Sequence, residues 1–366
     1  MKTYKHLYEK ICDFENIYSA YLKARRNKRY RIDVLQFSYN LEHNLNRIQS
    51  ELLARKYKTG KYRMFYVYEP KKRMILSLPF KDRVVQHAIC NIIEPIFDKT
   101  FIYDSYACRD GKGIHKGSAR LTQFLRRARN KWDNKVYCLK CDIKQYFPNI
   151  NHNILSDIIG QTIRCSDTLE LLDGIICSHN SIEGKSIPIG NLTSQLFANV
   201  YLNELDYYMK QYLKIKLYIR YMDDFIVLDN DKKTLGELKD NIEDFLKRKL
   251  CLVLNHKSCI SPVDRGVDFL GYRTWADYKL IRKRSIRNIR RGIKKLAKDG
   301  KTGTDIQHAM SSWFGYCTHA DTWRLRGKIA GEIEKAVNQW ETEQRMATVP
   351  VQNKPELMKA MQAVSK

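Results

Sequence analysis

The stretch "YIRYMDDFIVL", Tyr218–Leu228, places two adjacent aspartates in the middle of a hydrophobic run. Its isoleucine, phenylalanine and valine residues favour strands, and apolar runs of this kind are usually buried. A buried carboxylate is costly unless a cation meets it. The stretch therefore predicts a strand, a turn and a second strand, with Asp223 and Asp224 placed to hold a positive charge.

A third aspartate, Asp142, follows the apolar start of "CLKCDIKQYF" (138–147). Two strands of one sheet can bring Asp142 and Asp223 to the same end, where they could hold two divalent ions about 3.5–4 Å apart for phosphoryl transfer. Mg²⁺ suits such a site, because it prefers oxygen ligands such as carboxylates and substrate phosphates. The alternative is that the three aspartates cap unrelated turns.

The chain carries a large excess of positive charge, with 66 lysines and arginines against 40 aspartates and glutamates and a net charge of +26. Such an excess points to a polyanionic partner, for which nucleic acid is the first candidate. A basic surface that serves only solubility is the alternative. Over 366 residues, 43% of them hydrophobic, the chain can bury a large core and form two or three lobes.

Other classes of protein are disfavoured. No apolar run approaches the ~18 residues of a membrane span, and the N-terminus lacks the apolar core of a signal peptide. The ten cysteines include one C-x-x-C, Cys138 and Cys141, with no second pair to complete a zinc site. We therefore expect reduced thiols in a cytoplasmic protein that does not enter a membrane.

Strand patterns alternate with helical patterns along the chain, which predicts an α+β fold with a sheet packed by helices. The predicted elements are helices over residues 1–60, two strands over 62–80 with a basic turn at 69–73, a helix over 82–97, a strand over 135–147, a helix over 191–213 and a basic helical region over 279–298. The helix over 82–97 is predicted because its apolar residues recur at helical spacing; they are Val85, Ala88, Ile89, Ile92 and Ile93.

An ordered series of motifs surrounds the aspartate pair from about residue 60 to 325. It includes "PKKRMILSLPFKDRVVQHA" (70–88), "CDIKQYF" (141–147), "IPIGNLTSQLFANVYLNELD" (187–206), "YMDD" (221–224), "LVLNHKS" (252–258) and "VDFLGY" (267–272). This series resembles reverse transcriptases. The resemblance implies an RNA-directed DNA polymerase of right-hand form, with fingers, a palm whose antiparallel sheet is packed by helices, and a helical thumb. It divides the chain into fingers and palm over 1–274, a basic thumb over 275–345 and a C-terminal tail over 346–366.

The resemblance assigns roles to the aspartates. Asp142 and Asp223 become ligands of two Mg²⁺ ions, for which Mn²⁺ is a substitute. Asp224 becomes a supporting carboxylate, and the backbone carbonyl of Ile143 a further ligand. Lys257 takes the position of a lysine near the leaving pyrophosphate, where it could act as general acid. A surface lysine without that role is the alternative.

The resemblance also implies a nucleotide pocket. Arg73 and Arg109 fall where cations of the fingers meet the incoming triphosphate, and guanidinium forks suit phosphate oxygens. Phe147 takes the position of an aromatic ring that would collide with a ribose 2′-hydroxyl, which selects dNTPs by shape. The alternatives are that one arginine pairs with a local acid, and that Phe147 closes the core beside Pro148.

The loop "IPIGNLTSQ" (187–195) narrows the resemblance. Most reverse transcriptases carry Gln-Gly followed by Ser-Pro, whereas here Ile189 precedes Gly190 and Gln195 follows Ser194. This departure resembles the reverse transcriptases of diversity-generating retroelements, which are bacterial or phage-encoded. It implies that a template-repeat RNA is copied into cDNA with errors at adenines, and that a small basic helical-bundle protein is a partner. Ile189 offers no directional hydrogen bond, which is a physical route to low fidelity.

Two further regions are expected to hold nucleic acid. Phe269, Leu270 and Gly271 match the primer grip of the family, where a glycine allows close backbone approach. The basic region 279–298 has an apolar stripe, made of Ile286, Ile289, Ile293 and Leu296, at spacings of three and four. Its cations are expected to contact the phosphates of template RNA and of the RNA–cDNA duplex; they are Lys283, Arg284, Arg287, Arg290, Arg291 and Lys294. A helix on a membrane surface is the alternative.

Two rival functions stay open. One is a catalytically silent RNA-binding protein of the same fold, which the intact Asp142, Asp223 and Asp224 disfavour. The other is an antiphage or CRISPR-associated reverse transcriptase, with the same chemistry in another biological role. The Ser194-Gln195 pair disfavours the second.

Overall fold

The computed structural model describes residues 2–68, 72–133, 135–179 and 184–348. Most of the predicted basic turn at 69–73 and most of the predicted tail at 346–366 lie outside the described residues. The helices are α1 (Tyr8–Cys12), α2 (Phe14–Ala24), α3 (Ile32–Tyr39), α4 (Leu41–Leu53), α5 (Phe80–Asp98), α6 (Ile114–Lys131), α7 (Tyr146–Asn149), α8 (His152–Thr162), α9 (Ser166–Ile176), α10 (Leu192–Tyr207), α11 (Lys232–Leu250), α12 (Lys283–Lys298), α13 (Gly303–Cys317) and α14 (Trp323–Thr348). The strands are β1 (Arg63–Val67), β2 (Arg73–Ser77), β3 (Tyr137–Asp142), β4 (Tyr218–Tyr221), β5 (Asp224–Asp229), β6 (Cys259–Pro262), β7 (Val267–Phe269), β8 (Tyr272–Thr274) and β9 (Lys279–Ile281). A π-helical turn at Tyr208–Tyr212 continues α10.

The chain forms two compact units. The first comprises Met1–Arg120 and Ala128–Pro262, and the second comprises Leu121–Arg127 and the chain from Val263 onward. The predicted division lay at 274, after β8. The structure divides the chain earlier because β8 and β9 share a core with α13, where Tyr272 and Ile281 are buried in one cluster with Cys317, and β7 pairs with β8.

The first unit contains an antiparallel sheet with the strand order β4-β5-β3-β6, which we call the palm sheet. Alternate residues of its two central strands join the main core, namely Leu139 and Cys141 of β3 and Phe225 and Val227 of β5. This period of two is the one that a strand requires. The helix α11 packs on β3, β5 and β6. The predicted α+β class, with an antiparallel sheet packed by helices, is confirmed.

The helix α5 is central to the fingers part of the first unit. Of its predicted apolar positions, Val85, Ala88, Ile89 and Ile93 are fully buried and Ile92 is partly buried against the core. The helix packs against α2 and α10. The two predicted strands form a separate antiparallel hairpin of β1 and β2. Strand β1 is exposed along its whole length, whereas Leu76 of β2 is buried.

In the second unit, α12, α13 and α14 share an apolar core. Ile289 and Ile293 of α12 pack with Ile306 of α13 and Ile333 of α14, and Leu296 lies partly buried against the same cluster. Ile286, the fourth residue of the predicted stripe, lies partly buried against the separate cluster that contains Tyr272. The helix α12 is shorter than the predicted region over 279–298. The first residues of the predicted region, Lys279–Ile281, form β9 and not helix, because their backbone pairs with β8.

All ten cysteines have free thiols. Cys138 and Cys141, the predicted C-x-x-C, are buried in β3 and behave as small apolar core residues. Across the described ranges, no helix has both the length and the apolar composition that crossing a membrane requires.

Candidate active site

The hairpin of β4 and β5 carries the aspartate pair. Tyr221 and Asp224 face each other across it, so Met222 and Asp223 form its two-residue turn. Met222 has a φ of 55°, a left-handed conformation that residues other than glycine adopt rarely. Such a conformation persists only where the surrounding structure imposes it, and it clusters at functional sites.

The strand β3 brings Asp142 to the same end of the palm sheet. Its register pairs Asp142 with Asp224, and the N–H of Ile143 donates to the carbonyl of Asp223 at 3.2 Å. The structure thus brings together the residues expected to bind metal, although they come from distant parts of the chain.

The electrostatics of Asp223 suit a cation site. Burial raises the pKa of Asp223, and the carboxylate of Asp142 raises it further, whereas Arg73 and Arg220 lower it; the net shift is upward. A divalent cation bound between two partly buried carboxylates would relieve the repulsion between them.

The donors at this site are oxygens. Within the described parts of the chain, no three acidic, histidine or cysteine side chains converge into a complete metal cage. The carboxylates of Asp142 and Asp223 still fit Mg²⁺, which commonly takes one or two carboxylates and completes its shell with waters and substrate phosphates. The carboxylate of Asp224, the cross-strand partner of Asp142, faces the ammonium group of Lys140 at 3.7 Å.

Asn255 belongs to the site but was not predicted from the sequence. Its Nδ2 donates to Asp142 Oδ2 at 2.9 Å, and its N–H donates to the Asp142 carbonyl at 2.7 Å. Its Oδ1 accepts the N–H of Lys257 at 3.1 Å, which orders the exposed turn that carries Lys257. An asparagine at the start of a turn is a recognisable local signal. Its reach to Asp142 is visible only in the folded sheet.

The loop that precedes α10 is joined to β2. The N–H of Leu76 donates to the carbonyl of Ile189 at 2.9 Å. Gly190 has a φ of 128°, and a Cβ built on it would lie 2.6 Å from the carbonyl oxygen of Leu76. These contacts hold Ile189 and Gly190 beside the strand that begins at Arg73. Gln195 is exposed in the first turns of α10.

The two arginines expected to bind phosphate differ in their surroundings. Arg73 is exposed at the start of β2, and its charge acts on Asp223. The side chain of Arg109 is only 8% exposed, and its Nε pairs with Asp98 at 2.5 Å. Its Nη1 donates to two backbone carbonyls. Arg109 therefore has the local role that the sequence left as an alternative, because most of its donors are used within its own lobe.

Phe147 lies in α7 and is half-buried. Its ring meets the ring of Tyr146 edge to face, with centroids 5.7 Å apart, and its carbonyl accepts the N–H of Ile187 at 3.1 Å. The exposed part of the ring suits a contact with a sugar, and the buried part packs against the main core.

The predicted primer-grip residues form the turn between β7 and β8 in the second unit. The side chain of Phe269 is fully buried, so it is a core residue rather than a contact for a primer. Leu270 and Gly271 have φ values of 51° and 89°. A Cβ at Gly271 would lie 2.1 Å from the Tyr316 hydroxyl oxygen. The close approach that requires this glycine is therefore to Tyr316 within its own unit, not to a primer.

The predicted cations of α12 are mostly exposed. Lys283, Arg284, Arg287 and Lys294 lie on the exposed side of the helix; Arg291 is also exposed and bonds to Asn288 on the same helix at 2.8 Å. Arg290 differs, because Glu332 of α14 accepts two hydrogen bonds from its guanidinium, each of 2.8 Å. Arg290 therefore joins two helices, which leaves fewer of its donors for phosphates.

An antiparallel sheet that ends in paired aspartates, beside a glycine-containing loop joined to a neighbouring hairpin, defines the palm of a nucleotidyl-transferring polymerase. Residues 57–274 match the family described as "Reverse transcriptase (RNA-dependent DNA polymerase)". The match covers more than half of the chain, and the chain belongs to the reverse transcriptase family.

Similar proteins include protein YkfC of Escherichia coli, which is 26% identical over 282 residues covering 65% of this chain and 71% of YkfC. The group II intron-encoded protein LtrA of Lactococcus lactis is 25% identical over 231 residues. That alignment covers 57% of this chain but only 37% of LtrA. Among solved structures, telomerase from Candida tropicalis gives a TM-score of 0.48 at 12% identity, over 77% of this chain and 63% of that chain.

Proposed function

We propose that this chain extends a DNA primer along an RNA template, with dNTPs as substrates. The observation that supports the proposal is the meeting of Asp142 and Asp223 at one end of the palm sheet, where Ile143 bonds to Asp223 and Asn255 holds Asp142. Two carboxylates on adjacent antiparallel segments form the minimum protein contribution to two-metal phosphoryl transfer.

The residues fit two Mg²⁺ ions, or Mn²⁺ as a substitute, held by Asp142, Asp223 and the carbonyl of Ile143. When bound, such ions supply activation of the primer 3′-hydroxyl and charge stabilisation at the leaving pyrophosphate. The chain itself would orient the substrates. The exposed guanidinium of Arg73 would bind the triphosphate, and Lys257, on the turn ordered by Asn255, would give a proton to the pyrophosphate.

The substrate sugar would be selected at Phe147. Phe147 lies in α7, its side chain is half-buried, and its ring meets the ring of Tyr146 edge to face. A fixed ring excludes a 2′-hydroxyl by contact rather than by a hydrogen bond, which favours dNTPs over rNTPs.

Within the reverse transcriptase family, we further propose that this chain carries out mutagenic copying in a diversity-generating retroelement. The backbone carbonyl of Ile189 is already bonded to Leu76, so an apolar side chain is what this residue presents to a nucleotide. The exposed Gln195, which follows Ser194, is the second departure from the usual loop. Without a directional polar contact, the pocket discriminates less between right and wrong nucleotides. Errors at template adenines are the proposed outcome.

A role in a diversity-generating retroelement would require particular partners. The template would be a template-repeat RNA, and the exposed cations of α12 would contact the phosphates of the RNA–cDNA duplex. A small basic helical-bundle protein would be the accessory partner. The setting would be the cytoplasm of a bacterium, with the gene carried by the bacterium or a phage.

The test of the polymerase function is primer extension on an RNA template with Mg²⁺. Asp142→Asn and Asp223→Asn should abolish extension, because a neutral amide cannot help to hold two divalent ions close together. Asp229→Asn, at the opposite end of β5, is the matched control and should retain it. Binding of the RNA–DNA duplex should persist in all three variants. Substantial extension by either site variant would exclude the metal assignment.

A further inference from the structure

Arg220 is a buried cation that the roles assigned above leave unused. It lies in β4, ahead of the turn that carries Asp223, and its side chain has no exposed surface. A guanidinium is costly to bury unless its donors find acceptors. The location of those acceptors indicates what Arg220 does.

One side of the guanidinium is paired with Asp206 of α10, which is equally buried. Nε donates to Asp206 Oδ1 at 2.7 Å and Nη2 donates to Oδ2 at 2.5 Å. The hydroxyl of Tyr218 donates to the same carboxylate at 2.7 Å. Burial acts to lower the pKa of Arg220, but Asp206 raises it overall, so the side chain stays charged.

The other side of the guanidinium reaches the active-site turn. Nη1 donates to the carbonyl of Met222 at 3.0 Å and to Oδ1 of Asn199 at 3.3 Å. Nδ2 of Asn199 is fixed in turn by the carbonyl of Ala107, at 2.8 Å. Asn199 and Asp206 are seven residues apart on α10 and so share one face of it.

The orientation of the Met222 carbonyl directly affects the backbone of Asp223. The carbonyl belongs to the same planar peptide group as the N–H of Asp223, so its direction determines how the backbone enters Asp223. Met222 has a φ of 55°, which an isolated turn would not keep. The bond from Arg220 is therefore suited to maintaining this conformation.

We propose that Arg220 is a positioning residue for nucleotidyl transfer: through the Met222 carbonyl it sets the orientation of Asp223, while Asp206 and Asn199 hold the guanidinium in place. The inference rests on the polymerase function proposed above. Arg220 also links the turn to α10, the helix that begins directly after the loop containing Ile189 and Gly190.

The competing explanation is that the ion pair serves only stability. Buried ion pairs can often be replaced by apolar residues of similar volume without loss of stability. The triple variant Arg220→Met, Asp206→Leu, Tyr218→Phe makes that replacement and removes the donor to Met222. The single variant Tyr218→Phe is the matched control, because it removes one bond to Asp206 and leaves Arg220 on Met222.

The full chain is measured in four ways: thermal unfolding, duplex affinity, steady-state kinetics of dNTP incorporation, and hydrogen exchange of peptides spanning 218–228. In the triple variant, kcat should fall by about tenfold to a hundredfold, as expected for a misplaced reacting group. The KM for dNTP and the Kd for duplex should stay within about threefold, because binding contacts are untouched. Amides of the 218–228 peptides should exchange faster. Tyr218→Phe should match the wild type in kcat and in exchange.

A folded triple variant with wild-type kcat and wild-type exchange at 218–228 would overturn the proposal. If the triple variant does not fold, Arg220→Lys replaces it: a lysine keeps the charge for Asp206 but lacks the fork that also reaches Met222. A lower kcat and faster exchange are expected again, and unchanged values would overturn the proposal. The exchange measurement needs no activity, so it separates failure of this inference from failure of the polymerase function.

Discussion

Replacing Gly190 with alanine should damage both stability and nucleotide binding. Gly190 has a φ of 128°, and a Cβ there would lie 2.6 Å from the carbonyl oxygen of Leu76 and 3.2 Å from Cγ2 of Ile75. The first of these atoms is backbone and cannot rotate away. The loop must therefore move from β2, which breaks the bond between the Leu76 N–H and the Ile189 carbonyl.

The expected decrease in stability follows from the backbone strain at position 190 and from the lost hydrogen bond. A side chain forced into a sparsely populated backbone conformation costs about 1–3 kcal/mol. Loss of one buried backbone hydrogen bond costs about 0.5–1.5 kcal/mol. The free energy of unfolding of Gly190→Ala should thus fall by about 1.5–4.5 kcal/mol. Because β2 begins at Arg73, the KM for dNTP should rise by about tenfold, equivalent to about 1.4 kcal/mol of lost binding.

The assay combines chemical denaturation with primer extension at varied dNTP concentration. The control is Gly236→Ala in α11, where a Cβ meets nothing within 4 Å. A glycine-to-alanine change inside a helix should stabilise the protein by about 0.5–1 kcal/mol and leave the KM unchanged. If Gly190→Ala unfolded like the wild type and kept the wild-type KM, the close approach of the loop to β2 would be refuted.

Two further predictions concern the nucleotide pocket. Phe147→Ala should increase incorporation of rNTPs relative to dNTPs, measured as the ratio of their kcat/KM values, because the ring that excludes the 2′-hydroxyl is removed; an unchanged ratio would make Phe147 a core residue only. Ile189→Gln should lower misincorporation opposite template adenine by up to about tenfold, because one added hydrogen bond is worth roughly 0.5–1.5 kcal/mol. Sequencing of cDNA made on an adenine-containing template measures this, and an unchanged error spectrum with retained activity would locate the infidelity elsewhere.

Elements whose signals are local could be predicted well. The hydrophobic residues that flank Asp223 and Asp224 predicted a strand, a turn and a strand, and β4 and β5 lie there. The spacing of Val85, Ala88 and Ile89 predicted α5. These signals depend on the periods of two and 3.6 residues that strands and helices impose on neighbouring positions.

The partners of individual side chains could not be predicted in the same way. Arg109 and Arg290 carry guanidinium groups that are chemically suited to phosphate, yet Arg109 pairs with Asp98 and Arg290 with Glu332. Phe269 has the position of a primer contact, yet it is buried in its own unit. A cation or an aromatic ring is chemically suited to several partners, and packing selects one of them.

By itself, the sequence of this protein determined the α+β class, the ordered motifs of a reverse transcriptase and three aspartates, Asp142, Asp223 and Asp224, as candidates for its active site. Only the tertiary structure decided what holds those aspartates. Asn255 bonds to Asp142 across a separation of 113 positions, and Arg220 connects Asp206 and Asn199 of α10 to the turn before Asp223. Such contacts depend on strand register and on how α10 packs against the palm sheet, and both are set by burial of the whole core rather than by any local pattern.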